Sequence, residues 1–150
     1  MEITKEIQID YGHLVHLHDS HCFHPHGHRA RIVAHLEGKL VGEEVSEKGM
    51  VMDFKHIKTI LMNKIHNVLD HSFIIAKDAP QRQHFETLNA LVYNGTMRLV
   101  VLDSVPTAEN LAFWCFKAIE NDIVDQYQTG LKLTAVEFWE TPSSCALYSE

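Results

Sequence analysis

The stretch His26-Gly27-His28-Arg29-Ala30-Arg31-Ile32-Val33-Ala34-His35-Leu36-Glu37 alternates in polarity. Ala30, Ile32, Ala34 and Leu36 share one parity, and Arg29, Arg31, His35 and Glu37 populate the other. Side chains alternate across a strand, so this pattern predicts a half-buried β-strand. His26 and His28 stand on the apolar parity at its start. Upstream, residues 2–13 alternate in the same way: Ile3, Ile7, Ile9 and Tyr11 face one side, and His13 continues that parity. Two strands thus aim three imidazoles at the interior side of a sheet.

Other elements follow from local signals. Lys39–Gly49 is polar and bounded by glycine, which suggests a hairpin loop. Met50-Val51-Met52 reads as a short strand, and Asp53 as a helix N-cap. Phe54, Ile57, Ile60, Leu61, Ile65, Val68 and Leu69 recur at helical spacing and predict an amphipathic helix over 54–69. Residues 72–97 are less regular, with a break at Ala79-Pro80, a short helix over 84–93 and a turn at Asn94-Gly95. Residues 99–102 are β-like. Pro106, Thr107 and Glu109 mark the start of a second long helix through 111–124. Residues 131–140 are β-rich, and 145–148 can form a last strand.

The chain has 150 residues, 45% of them hydrophobic, 22% charged, with a net charge of -7. That composition fits one globular domain over 1–150. An acidic chain without a Lys/Arg cluster is a poor nucleic-acid binder and points to a small-molecule partner. The start, MEITKEIQIDYGH, has no apolar core of a signal peptide, and no apolar run approaches the length needed to span a bilayer. Reduced thiols at Cys22, Cys115 and Cys145 in a cytoplasmic protein are the corresponding expectation.

Of 12 histidines, seven lie between positions 13 and 28. His26 and His28, at i and i+2, project to one face, and His13 from the neighbouring strand completes a set of three. Three protein ligands with one open position is the catalytic zinc arrangement. Imidazole suits zinc, with iron and nickel as other candidates. His16, His18, His21 and His24 read as solvated loop residues. Cys22 lies four residues before His26; a thiol near a dication gains thiolate character and suits a base or nucleophile, unless it is itself a ligand. Asp70-His71 at a helix exit can form an acid–base unit, or His71 can simply complement the helix dipole. Glu140 shares the parity of Val136 and Phe138, where a carboxylate is costly unless it is paired or binds something. Cys115, within an apolar helix, reads as a core thiol.

In order, the residues are His13, Cys22-x-x-x-His26-Gly27-His28, Gly49-Met50-Val51-Met52-Asp53-Phe54, Leu69-Asp70-His71, Pro106-Thr107-Ala108-Glu109-Asn110 and Trp139-Glu140-Thr141. This series resembles the 6-pyruvoyl-tetrahydropterin synthase family, and within it the 6-carboxy-tetrahydropterin synthase branch. The resemblance implies an α+β tunnelling fold: an antiparallel four-stranded sheet with two helices on one face. It implies homo-oligomers, trimers or stacked trimers forming hexamers, with active sites between subunits. It implies Zn2+ on His13, His26 and His28, with Cys22 as the proton-abstracting base and Asp70 with His71 as a second acid–base unit. Glu140 would anchor the pterin and help relay protons, and Thr107 and Glu109 would line the substrate. The implied reaction converts 7,8-dihydroneopterin triphosphate to 6-carboxy-5,6,7,8-tetrahydropterin with loss of acetaldehyde and triphosphate, in queuosine biosynthesis. The alternatives are 6-pyruvoyl-type triphosphate elimination and a non-catalytic metal-binding protein. Three features depart from the family pattern: Arg29-Ala30 after the His-Gly-His, the histidine-rich loop 16–24, and a long segment over 72–105.

Overall fold

The computed structural model describes residues 1–42, 46–126 and 130–150. Strands β1 (Glu2–His13) and β2 (His26–Glu37) form an antiparallel ladder in unbroken register, from Glu2 opposite Glu37 to His13 opposite His26. A single 3-10 turn at His21–Phe23 lies in the connection. β5 (Lys132–Thr141) pairs antiparallel with β2, with a bulge at His35/Leu36, and β6 (Ser144–Ser149) pairs antiparallel with β5. These four strands are the antiparallel sheet expected from the sequence.

The sheet is larger than expected. Two short strands, β3 (Ser72–Ala76) and β4 (Leu99–Leu102), extend it parallel to β1, giving six strands among the described residues in the order β4-β3-β1-β2-β5-β6. β3 falls in the stretch that periodicity left unassigned. Its run Phe73-Ile74-Ile75-Ala76 shows no alternation because Ile74, Ile75 and Ala76 are all buried. Met50–Met52 is a bend and not a strand. The burial of Val51 and Met52, the latter in the core, explains the apolar signal. The loop predicted over 39–49 is held by Val41 N–H donating to the Met50 carbonyl at 2.8 Å and Gly49 N–H to the Val41 carbonyl at 3.1 Å. Its residues 43–45 lie outside the described residues.

The predicted helix over 54–69 is present in three pieces: α1 (Phe54–Leu61), a π-helical turn (Met62–His66) and α2 (Asn67–Leu69). Asp53 caps it, its carboxylate accepting from Lys55 N–H at 2.8 Å. α3 (Arg82–Val92) bridges β3 and β4, and α4 (Ala108–Gln126) precedes β5. The first helix and α4 pack on one face of the sheet, so the two-layer plan holds, with α3 as an addition at the β3–β4 end.

The core lies between those layers. It joins Ile7, Ile9 and Tyr11 of β1 and Ala30, Ile32, Ala34 and Leu36 of β2 to Ile57, Leu61, Ile65 and Leu69 and to Leu111, Cys115, Phe116 and Ile119. Each fully buried Leu or Ile contributes about 1.5–3 kcal/mol. Cys115 is a core thiol whose pKa burial pushes up. The opposite face is polar and self-paired: Arg29 makes a bidentate pair with Asp10 at 2.8 and 2.9 Å, Arg31 meets Glu6 at 3.3 Å, and His35 sits between Glu2 and Glu137. Among the described residues, no helix is long and apolar enough to cross a membrane.

Candidate metal centre and surrounding cavities

The β1–β2 ladder places His13 directly opposite His26, and Tyr11 opposite His28. Because all four side chains lie on the core face, the three imidazoles converge at the end of the sheet. One ring nitrogen from each of His13, His26 and His28 lies within 4.8 Å of the others. Gly12 and Gly27, paired between them, let the two backbones run close.

Hydrogen bonds fix two of the rings. A carbonyl can only accept, so the 2.7 Å contact between His13 Nδ1 and the Pro106 carbonyl puts the proton on Nδ1. The 2.7 Å contact of His26 Nδ1 with the His24 carbonyl does the same. Both Nε2 atoms then present lone pairs, and they stand 3.1 Å apart. Two facing lone pairs repel unless a cation sits between them. His28 Nε2 is buried with no hydrogen-bond partner among the described residues. Burial is the main factor lowering the basicity of both His13 and His28, which favours the neutral, ligating form. Three convergent imidazole nitrogens, two oriented by outer carbonyls and one unpaired, fit a divalent metal of the zinc type.

Glu140, on β5, reaches the same point. Its Oε1 is 3.7 Å from His13 Nε2, 3.8 Å from His28 Nε2, and accepts a 3.4 Å hydrogen bond from the Tyr11 hydroxyl. The Tyr11 ring packs against His13, His28 and Phe138. No sequence pattern singled out Tyr11 beyond its parity, and none pointed to the Pro106 and His24 carbonyls.

A cavity of about 240 Å³ adjoins the imidazoles, lined by His13, Cys22, Thr107, Glu109 and Glu140 among others. Cys22 is half-buried in the 3-10 turn, and its carbonyl accepts from Val15 N–H at 2.8 Å, tying the loop back to the end of β1. Thr107 caps α4, its hydroxyl accepting from Asn110 N–H at 3.4 Å, while Glu109 is exposed in the first turn. Thus five residues singled out in the sequence share one cavity. A second cavity, of about 540 Å³, opens on the far side of His28 and Glu140 and is lined by Gln8, Arg29, Arg31 and Trp139.

Asp70 and His71 form a pair but do not join Cys22 within one protomer. His71 lines a separate cavity with Asp10, Tyr11, Gly12, His28 and Arg29. Asp70 Oδ1 accepts the Asp10 N–H at 2.9 Å and Oδ2 accepts His71 Nδ1–H at 2.7 Å. Burial works against the Asp70 charge, but these two donors outweigh it and hold the carboxyl below its ordinary pKa. His71 adopts a left-handed backbone, φ +54°, a conformation costly for a residue with a Cβ.

The loop histidines divide. His18, His21 and His24 are exposed as expected, but His16 is buried, near Asp78 at 3.8 Å. It follows Leu14, which anchors a small cluster with Ile75, Ala76 and Ala79, so the chain has not yet left the interior.

Residues 2–150 match the family model described as 6-pyruvoyl tetrahydropterin synthase. The chain is 30% identical to the 6-carboxy-5,6,7,8-tetrahydropterin synthase of Haemophilus influenzae, with 99% of each chain covered. It is also 30% identical to that of Aquifex aeolicus, with 99% of this chain and 98% of the other covered. Among solved structures, an uncharacterized protein from Wolinella succinogenes superposes with a TM-score of 0.79 at 31% identity, covering 100% and 98% of the two chains. The 6-pyruvoyl tetrahydropterin synthase of Caenorhabditis elegans superposes at 0.68 and 20% identity, covering 100% and 95%, and shares the fold. Fold, order of site residues and full-length similarity agree, and the chain belongs to the 6-pyruvoyl tetrahydropterin synthase family of enzymes.

Proposed function

We propose that this protein is a zinc-dependent 6-carboxy-5,6,7,8-tetrahydropterin synthase, acting on 7,8-dihydroneopterin triphosphate with release of acetaldehyde and triphosphate. The observation that carries the reading is the convergence of His13, His26 and His28 beside the cavity that Cys22 lines. The curated relatives favour the 6-carboxy product: those at 27–30% identity over 95–99% of this chain carry that name. The structures named 6-pyruvoyl tetrahydropterin synthase stand at 15–20%. The product's use in queuosine synthesis belongs to this reading.

When bound on the three imidazoles, zinc supplies Lewis acidity that polarises the oxygens of the pterin side chain. Cys22 removes a proton from the side-chain carbon presented in its cavity. Glu140, whose second oxygen has no hydrogen-bond partner among the described residues, accepts from the N–H edge of the pterin. Thr107 and Glu109 border the same space. His71, its Nδ1–H committed to Asp70, presents Nε2 as the second proton carrier. Because His71 and Cys22 line different cavities of one protomer, the complete site is formed where a second protomer brings its Asp70-His71 pair to Cys22. The cytoplasm is the expected compartment.

Incubation of zinc-loaded protein with 7,8-dihydroneopterin triphosphate, followed by mass analysis, tests the proposal. A 6-carboxy product with acetaldehyde is expected. A pyruvoyl product would assign the neighbouring reaction, and absence of turnover would leave a metal-binding protein.

A further inference from the structure

We propose that Tyr11 is a positioning residue, which acts through Glu140 to set how the site holds its ligand. The inference rests on the pterin reading for the identity of that ligand. Glu140 lies on the apolar face of β5, between Phe138 and the end of the strand, where an unpaired carboxylate is costly. Among the described residues its hydrogen-bond donor is the Tyr11 hydroxyl, at 3.4 Å from Oε1. The same oxygen lies 3.7 Å from His13 Nε2 and 3.8 Å from His28 Nε2.

The phenol therefore gives the two carboxylate oxygens different tasks. Oε1 is held toward the imidazoles, and Oε2 is left for an N–H donor of the ligand. Without the phenol, the carboxylate is free to turn about its last bond and exchange the two oxygens. The hydroxyl is well placed to impose this because the rest of Tyr11 is buried and packed on three sides. The residue is 4% exposed, and its ring is wedged against His13 at 5.1 Å, His28 at 5.9 Å and Phe138 at 5.8 Å between centroids. At 3.4 Å the bond is long for O–H···O, which leaves room for it to shorten when a ligand pulls the carboxylate into line, as hydrogen bonds at such sites commonly do.

Tyr11→Phe removes the hydroxyl and keeps the ring, so it separates positioning from packing. The test is a cycle of wild type, Tyr11→Phe, Glu140→Gln and the double variant, each loaded with Co2+. Two readouts are taken: the cobalt visible spectrum, and affinity for neopterin by fluorescence quenching. A hydrogen bond to a charged group predicts about tenfold weaker neopterin binding in Tyr11→Phe, with cobalt content unchanged. In the Glu140→Gln background, where the amide oxygen still accepts but the charge that strengthens the bond is gone, the same change is expected to cost no more than about twofold. The cobalt spectrum of Tyr11→Phe is expected to move in the direction of Glu140→Gln. Wild-type behaviour of Tyr11→Phe in both readouts would overturn the proposal, as would an equal penalty in both backgrounds. If wild type itself binds no neopterin, the pterin reading fails, and the role of Tyr11 is decided by the cobalt spectrum.

Discussion

Gly27→Ala is a perturbation whose outcome can be worked from the geometry of the β1–β2 ladder. A Cβ at Gly27 would lie 2.9 Å from the Tyr11 carbonyl oxygen, a backbone atom in the middle of a paired strand. Restoring an ordinary contact requires the strands to part by roughly half an ångström at that point. The residues on either side are His26 and His28, and the strand being pushed carries His13. Metal–ligand distances tolerate errors of only about 0.2 Å, so the displacement exceeds what the site can absorb. Overpacking against a rigid neighbour costs about 1–3 kcal/mol, offset by about 0.5–1 kcal/mol from replacing glycine in a strand. The expected net loss of stability is therefore about 0–2.5 kcal/mol, centred near 1. Zinc affinity is expected to fall about 10–100-fold, as when outer supports of metal ligands are lost. Urea unfolding of the apo protein and competition with a chromophoric chelator measure the two effects. Gly42→Ala is the control, because a Cβ there meets nothing within 4 Å among the described residues. If Gly27→Ala bound zinc like wild type, the close approach of the two strands would not be what sets the ligand geometry.

Two further outcomes follow. Cys22→Ala and Asp70→Asn should each lose at least about 100-fold in turnover while Cys22→Ala retains its metal; mixing the two variants under conditions that exchange protomers should restore activity, and failure to do so would contradict a site shared between two protomers. Burial holds His13 and His28 below their ordinary pKa in the folded protein, so the unfolded chain binds more protons below about pH 6.5, the unperturbed histidine value. The apo protein is then expected to lose stability as pH falls from about 6.5 toward the folded-state values, against which His35, raised by Glu2 and Glu137 despite its burial, acts with the opposite sign. Urea midpoints for the apo wild type and a His13→Gln variant across that range check the sign, and a variant with an unchanged slope would contradict it.

Much of this architecture is written in short-range pattern. The alternation through 2–13 and 26–37 identifies both central strands and puts His13, His26 and His28 on the core face, because a strand's parity is a local property. The same logic places Glu140 with Val136 and Phe138, and Asp53 is recognisable as a cap because capping is satisfied within two residues. What escaped is either short or distant. β3 is five residues of largely buried strand, too brief for periodicity to separate from a helix turn. The π-helical turn at Met62–His66 leaves the apolar spacing nearly unchanged. The contacts that complete the candidate metal centre join residues far apart in the chain: His13 to the carbonyl of Pro106, and Tyr11 to Glu140. A backbone carbonyl has no sequence signature at all. His16 reads as a solvent residue from the company it keeps in a histidine-rich loop, although its burial is set by packing beside Leu14.

Zinc stoichiometry with X-ray absorption at the zinc edge reports whether His13, His26 and His28 hold one metal ion with a position left open. One zinc per chain is expected, with three nitrogen neighbours at about 2.0–2.1 Å and no sulfur at about 2.3 Å. A sulfur neighbour would make Cys22 a ligand, and several ions per chain, or none after loading, would contradict the site as built.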